Sequence, residues 1–341
     1  MKSSRTSAIA LAVVLLALAL GLAACGEKSD DTSGEAQPFS LTLDFYPNPD
    51  HAGIYMAQKL GYFREAGLNL SIEAPSDPSL PIKQVAAGRS DLAISYEPEV
   101  ALAREQGLGV VAVGALVNQP LTSLIWLKKS GIKGVGGLKG KTVATAGIPY
   151  QAAFLKTILS RVQLTPSEVK EVNVGFGLLP ALIGGSAQAM LGGYSNVEGV
   201  DLRQRGEAPV VTPVDKLGVP TYDELVLVAN QKNLEAEPEA IRLFLAALQR
   251  GTEAAAKDPK AATAAVLEAN HALEPKLTEA EVKATLPLLS ARVGSKPYGY
   301  MDPKEWEAFA GWMRDNGLVQ ELLTPAELLT NAYLPGGEIP E

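Results

Sequence analysis

Strand and helix signals alternate along most of this chain. The alternation predicts an α/β protein of two lobes, each a doubly wound sheet with helices on its faces, with a ligand cleft between them. Three observations carry that prediction. Short runs such as Leu68–Glu73 and Val110–Val117 have the apolar pattern of strands, and helical stretches separate them. The alternation restarts after a Gly-rich segment, Ser130 to Lys141. From Pro238 the chain reads as helical, and such late helices can pack back on the first unit.

Before the folded part, Lys2 and Arg5 precede the uncharged apolar run Ala8 to Leu20, the layout of a signal peptide over residues 1–24. Leu22-Ala23-Ala24-Cys25 matches the bacterial lipobox, which implies cleavage before Cys25 and lipidation of that residue. Cys25 is the only cysteine, so no intramolecular disulfide forms. Residues 25–38 are polar and acidic and read as a tether to a membrane surface. At 47% hydrophobic, the 341 residues suffice for two cores. A net charge of −8 argues against a sequence-independent grip on nucleic acid.

The first unit opens with a strand over Phe39–Phe45, since Leu41 and Leu43 alternate with Thr42 and Asp44. Pro47, Asn48, Pro49 and Asp50 end it. A helix then runs over His51–Leu60 and stops at Gly61. Strands follow at Leu68–Glu73, Asp91–Ser95 and Val110–Val117, with helices at Pro81–Ala87 and Glu97–Gln106 between them. The second unit takes strands at Ser123–Lys128, Lys141–Ala144, Glu171–Val174, Ala187–Leu191, Val210–Pro213 and Glu224–Ala229. Its helices are Gln151–Arg161, Leu179–Gly184 and Gly199–Gln204. Helices at Glu239–Lys257, Pro259–Ala269, Glu279–Ser290, Pro303–Asn316 and Pro325–Leu329 begin near Pro, Asp or Thr, as helix starts prefer. One lobe therefore takes 39–125 with 230–335, the other 126–229, with crossovers near 122–130 and 226–232.

Motifs for catalysis are sparse. Gly140-Lys141-Thr142 lacks the Gly a P-loop needs five residues earlier, where Val135 stands, and it precedes a strand. With two His, His51 and His271, no metal-ligand spacing exists, and neither metal nor cofactor is expected. There is no Gly-x-Ser-x-Gly elbow, and His271 reads as a surface residue. What remains is a set of loops at strand ends, where open α/β sheets bind ligands. They carry Phe45, Tyr46, Asn48 and His51; Tyr96; Gln119; Tyr150; Tyr194, Asn196 and Glu198; and Tyr222 with Asp223. Aromatic faces there sandwich a planar ring, and Asn, Gln and Glu bond its edge. Glu99, Glu207 and Glu224 read instead as solvated or helix-end charges.

Phe45-Tyr46-Pro47-Asn48-Pro49-Asp50-His51-Ala52-Gly53 resembles the Trp-x-Pro-Asn-x-x-His-x-Gly signature of the thiamine-pyrimidine-precursor binding proteins. These are substrate-binding proteins of ABC importers, with the periplasmic-binding-protein fold of type II, in a group shared with eukaryotic thiamine-pyrimidine synthases. Gly61-Tyr62-Phe63, Gly193-Tyr194-Ser195-Asn196-Val197-Glu198, Pro220-Thr221-Tyr222-Asp223 and Tyr298-Gly299-Tyr300 extend the likeness from Phe39 to about Tyr333. Phe45 and Ser195 stand where the family carries Trp. The synthases carry a Cys-rich iron motif, and Cys25 alone cannot supply one.

The resemblance implies a lipid-anchored, extracytoplasmic binding protein, not an enzyme, that closes by hinge motion at the crossovers. Its expected partners are a small heteroaromatic ligand, most simply an aminomethylpyrimidine-type thiamine precursor, then an ABC permease with its ATPase. A monomer is expected. In that reading Tyr46 and Tyr194 stack on the ring, and Asn48, His51, Asn196 and Glu198 bond its edge. Tyr222 and Asp223 close the cleft. Riboflavin or a sulfonate is the alternative ligand, though the candidate loops hold no Arg or Lys for an anion. The rival reading is an enzyme with His51 as base beside Glu198 or Asp223.

Overall fold

The computed structural model describes residues 36–289 and 296–336. The expected signal peptide, the lipidated Cys25 and most of the expected tether lie outside the described residues. The tether was expected to reach residue 38, yet Gln37 already pairs with Leu68 in a strand.

Ten strands build two five-stranded sheets. The first contains β1 (Gln37–Thr42), β2 (Leu68–Glu73), β3 (Leu92–Ser95), β4 (Val110–Val117) and β10 (Leu225–Asn230), in the order β2-β1-β3-β10-β4. The second contains β5 (Thr122–Leu127), β6 (Thr142–Thr145), β7 (Lys170–Asn173), β8 (Ala189–Tyr194) and β9 (Pro209–Pro213), in the order β7-β6-β8-β5-β9. The two sheets have one plan. Three parallel strands (β2-β1-β3 and β7-β6-β8) are followed by an antiparallel strand that arrives by a crossover, β10 in the first sheet and β5 in the second. The expected divisions at 126 and 229 therefore cut through β5 and β10. Sheet membership changes before Thr122 and before Leu225.

β4 lies at a sheet edge although every residue in it is buried. Other chain segments cover that edge. Ala115 N–H donates to Gly299 O, and Thr330 N–H donates to Ala112 O, each at 2.8 Å. The edge donors and acceptors are thus used within the protein instead of standing open to another chain.

Helices α1 (Ala52–Lys59), α2 (Tyr62–Glu65), α3 (Pro81–Ala86) and α4 (Glu97–Glu105) connect the first strands. The first strand stops at Thr42, earlier than the expected Phe45, because Asp44 leaves the sheet for a hydrogen-bonded loop. The expected helix from His51 is a 3-10 turn, Pro49–His51, followed by α1. Asn48 caps the turn through a bond from Asp50 N–H. In the second unit α5 (Gln151–Ser160), α6 (Leu178–Ile183) and α7 (Glu198–Gln204) follow β6, β7 and β8.

The remaining helices are α8 (Gln231–Ala236), absent from the sequence expectation, α9 (Pro238–Lys257), α10 (Pro259–Ala269), α11 (Pro275–Leu289), α12 (Pro303–Asp315) and α13 (Pro325–Leu328). On α9, Ile241, Phe244, Leu245, Leu248 and Thr252 recur at helical spacing on the buried face. Phe244 stacks on Phe39 of β1 and Phe63 of α2, with ring centroids 5.4 and 5.0 Å apart. Beyond them α9 crosses α1 so closely that a methyl group at Gly251 would collide with Ala57 and with the Gly53 carbonyl. Among the described residues no helix is long and apolar enough to cross a membrane.

Two measurements test this packing. Gly251→Ala is expected to lose about 1–3 kcal/mol of unfolding free energy in a denaturant titration, because the helices must separate. Glu224→Ala is expected to lose about 3–5 kcal/mol, since it strands the donors described below in a dry interior.

Candidate functional site

The carboxyl ends of β1 and β3 in the first sheet meet those of β6 and β8 in the second. Between them lies a cleft of about 510 Å³, counting its open mouth. This is where α/β sheets place ligands, at the point where strand order reverses. The first sheet contributes Asp44, Phe45, Tyr46, Asn48, Asp50 and Tyr96. The second contributes Thr122, Ala146, Ile148, Tyr150, Gln151, Leu178, Gly192, Tyr194, Val197 and Glu198.

Local sequence explains how each side chain arrives. After β1 the Pro-Asn-Pro-Asp turn drives Asp44 and Asp50 inward, both only 3% exposed. Asp44 accepts from Tyr96 OH at 3.1 Å through Oδ2, and its Oδ1 lies 2.9 Å from His51 Nε2. His51 Nδ1 accepts from Asn48 N–H at 3.2 Å, so the proton of a neutral ring sits on Nε2 and donates to Asp44. His51 is fully buried behind Asp44 and does not line the cleft. It holds Asp44 in place, and it is not positioned to bond a ligand or act as a base.

After β6 the chain turns at Gly147, whose φ of 77° favours glycine and whose Cβ would strike the Asn173 side chain. That turn delivers Ile148 and Tyr150. Gln151 Oε1 then accepts from Ala146 N–H at 2.9 Å and fixes the turn. After β8, Tyr194 N–H donates to Glu198 Oε2 at 2.7 Å. Burial raises the Glu198 carboxyl above the ordinary range and pushes the Tyr96, Tyr150 and Tyr194 hydroxyls up, with the nearby Asp44 and Glu224 carboxylates adding to the rise of all three hydroxyls.

Several contacts span the two sets of loops. Phe45 meets Phe176 edge to face at 4.3 Å, with Tyr46 packed beside both. Tyr96 and Tyr150 meet at 5.8 Å. Asp50 Oδ1 accepts from Asn196 Nδ2 at 2.7 Å, and Asn196 Nδ2 lies 2.8 Å from Thr285 Oγ1 on α11. Phe176 has no place in the sequence reading, since a single Phe between two glycines carries no turn or strand signal.

Seven of the expected site residues line the cleft: Phe45, Tyr46, Asn48, Tyr96, Tyr150, Tyr194 and Glu198. The other five do not. Gln119 is exposed on the surface. Asn196 is buried beside the cleft, spent on Asp50 and Thr285. Tyr222 packs on Phe154 and Phe309, away from the cleft, and donates to Glu224. Asp223 accepts from Trp306 Nε1 at 2.6 Å, which ties the second crossover to α12. His51 serves Asp44, as above.

Glu224 and Glu99 correct the expectation of solvated charges. Glu99 is buried, which pushes its carboxyl up to about 7. Glu224 is fully buried and accepts from Leu121 N–H, Thr122 N–H, Thr122 Oγ1 and Tyr222 OH at 2.7–2.9 Å. Its four bonds join both crossovers.

Beside the cleft, Glu281 on α11 is pushed up to about 8, first by burial and then by Glu198, Asp201 and Asp50. A carboxyl raised on folding binds more protons folded than unfolded between its ordinary value and about 8. Its contribution to stability is thus present at low pH and lost as pH rises through that window. Glu281→Gln is expected to flatten the fall in unfolding free energy between pH 5 and pH 8; an unchanged slope in denaturant titrations excludes Glu281 as its source.

Comparison with known proteins agrees with this architecture. The family model described as NMT1/THI5 like matches residues 48–262. A putative thiamine biosynthesis protein of Haemophilus influenzae is 35% identical over 292 residues, 85% of this chain and 91% of that protein. A formylaminopyrimidine-binding protein of Halalkalibacterium halodurans is 34% identical over 306 residues, 88% of this chain and 92% of that protein. Among solved structures, the alkanesulfonate-binding protein SsuA of Xanthomonas axonopodis pv. citri superposes with a TM-score of 0.66 at 14% identity, over 87% of this chain and 99% of that one. That likeness places the fold among periplasmic binding proteins. With the family model matching more than half the residues and relatives above 30% identity along nearly the whole length, the chain belongs to the NMT1/THI5-like family.

Proposed function

We propose that this protein is the substrate-binding component of an ABC importer and that it captures a pyrimidine precursor of thiamine in the cleft between its sheets. The observation that carries the reading is the cleft's lining. Tyr46, Tyr96, Tyr150 and Tyr194 supply aromatic faces, Asp44, Asp50 and Glu198 supply acceptors, and no Lys or Arg is among the lining residues. A flat ring with amino donors suits such walls, through face contact and edge hydrogen bonds. A sulfonate brings negative charge toward three carboxylates and finds no cation, so the likeness to sulfonate-binding proteins extends to the fold and not to the ligand. The formylaminopyrimidine-binding relative supports a pyrimidine.

In this reading each sheet is the centre of one lobe, and no bond of the ligand is broken. Tyr150 and Tyr194 flank the ring, and Glu198 accepts from its amino group. His51 and Tyr96 orient Asp44. Phe45, Tyr46 and Phe176 shut the mouth, and Asn196 holds the loops together. Anchoring at Cys25, an extracytoplasmic location, a monomeric state and delivery to a permease complete the proposal. The family's synthases bear on it little, because the sequence has one cysteine, ahead of the folded unit.

A thermal-shift screen tests the ligand class. Substituted 4-aminopyrimidines are expected to raise the melting temperature and taurine is not; a shift with taurine alone sinks the reading. Glu198→Ala is expected to weaken an aminopyrimidine about tenfold or more by calorimetry, the worth of one hydrogen bond to a charged group. Unchanged affinity removes Glu198 from the contact.

A further inference from the structure

Asp50 is the least explained group in the cleft. It lines the cavity, it is 3% exposed, and its Oδ1 is taken by Asn196 Nδ2. Its Oδ2 is buried with no hydrogen-bond partner. Buried carboxylate oxygens are ordinarily paired, so an unmatched one in a ligand cleft points to a donor that the ligand brings. The surroundings sharpen the kind of donor. Asp44 faces Asp50 from the same loop, where the His51 ring is already spent on Asp44. Glu198 faces it from the start of α7, Glu224 from the crossover before β10, and Glu281 from α11. Arg205, the cation that acts on Glu281, is itself paired with Asp201. Asp44, Glu198 and Glu224 thus surround Asp50 with carboxyl groups, and the lining of the cleft holds no Lys or Arg to offset them.

We propose that Asp50 is the specificity-determining carboxylate of the cleft and that its Oδ2 accepts a positively charged N–H donor from a monocationic heteroaromatic amine. This inference rests on the pyrimidine reading above and names the charge state of the ligand.

A second orphan stands beside Asp50. Asn196 Oδ1 is also buried without a partner. An acid–amide pair matches both leftovers: Asp50 Oδ1 accepts from Asn196 Nδ2, and a proton on Oδ2 donates to Asn196 Oδ1. Burial, reinforced by Asp44, Glu198 and Glu224, drives the Asp50 carboxyl well above its usual range, toward that protonated form. A cationic ligand then takes the place of the proton: the O–H bond of Asp50 breaks, the proton leaves to solvent, and an N–H···O bond forms at Oδ2. Charge in the cleft is conserved by this exchange. A ring nitrogen that is neutral in solution reaches the same end state by accepting the Asp50 proton itself; a ligand with no basic nitrogen gains nothing from the exchange, and an anionic one adds to the repulsion.

Two sources supply the donor, the ammonium of an aminomethyl arm or a protonated ring nitrogen, and calorimetry of the purified protein distinguishes them. The probes are 4-amino-5-aminomethyl-2-methylpyrimidine and its 5-hydroxymethyl analogue, titrated near neutral pH in two buffers of different ionisation enthalpy. If the ammonium is the donor, the aminomethyl compound binds at least tenfold tighter and releases about one proton. Both effects disappear in Asp50→Asn. If the ring nitrogen is the donor, the two compounds bind within threefold of each other. A ring neutral in solution then takes its proton from Asp50, net proton exchange is near zero, and Asp50→Asn weakens both at least tenfold. The proton count on the unaltered protein needs no variant, and a thermal melt of Asp50→Asn confirms that it folds. Binding of both probes to Asp50→Asn as to the unaltered protein overturns the inference. Failure of the unaltered protein to bind either probe overturns the pyrimidine reading instead.

Discussion

A single buried carboxylate joins the two places where the chain passes between the sheets. Glu224 lies at the entrance to β10, and the groups it accepts from, Leu121 N–H and Thr122 N–H, lie at the entrance to β5. Tyr222 and the Thr122 hydroxyl complete its shell. Among the described residues no cation pairs with it; hydrogen bonds offset its desolvation, and the arrangement is costly to break from either side. The two antiparallel strands are fixed to each other at their origins, and everything else follows from where that joint sits. The parallel strands of each sheet then present their carboxyl ends across one gap, and the gap is the cleft. The chain passes between the sheets only beside this joint, at the peptide bonds 121–122 and 224–225.

The interior around the cleft is acidic to an unusual degree for a site without metal-like clusters among the described residues. Asp44, Asp50, Glu198, Glu224 and Glu281 converge there, and each is buried or nearly so. The chain handles them in different ways. Asp44 has a partner on each oxygen, His51 and Tyr96, and Glu224 has four donors. Glu198 takes the Tyr194 amide. Asp50 has only one oxygen satisfied. The sequence places acids where the fold supplies donors and leaves a deficit at one point, which is what a site for a donor-rich ligand requires.

Much of the fold is legible in the sequence. Strands such as Val110–Val117 and Leu68–Glu73 and the helix Pro259–Ala269 declare themselves by length, apolar content and proline starts, and their bounds agree with the structure. The loops of the site were legible too, because Pro, Gly and Asn cluster where strands end. What the loops do not encode locally is which side chain turns inward. Tyr222 and Tyr194 stand in similar company, yet Tyr194 lines the cleft while Tyr222 packs against Phe309. Asp50 and Glu224 are charged residues beside turns, a pattern that ordinarily means solvent, and only the tertiary fold buries them. Asp44 was hidden by the alternation of Leu41 and Leu43, which runs on for two residues after the strand has ended. Phe176 and Gln151 act through partners far away in sequence, Phe45 and Gly192 among them, so no local pattern announces them.

The three tryptophans offer a different view of the same architecture. None lines the cleft. Trp126 sits in β5, the strand that leaves the first crossover; the Trp306 indole donates to Asp223 at the second; Trp312 packs on Phe154 and Phe309 behind them. Two of the three indoles, Trp306 and Trp312, therefore sit by the second crossover, while the cleft itself is walled by tyrosine and phenylalanine. Tryptophan emission in this protein thus comes from the interior of the second sheet and from the second crossover, not from the walls of the cleft.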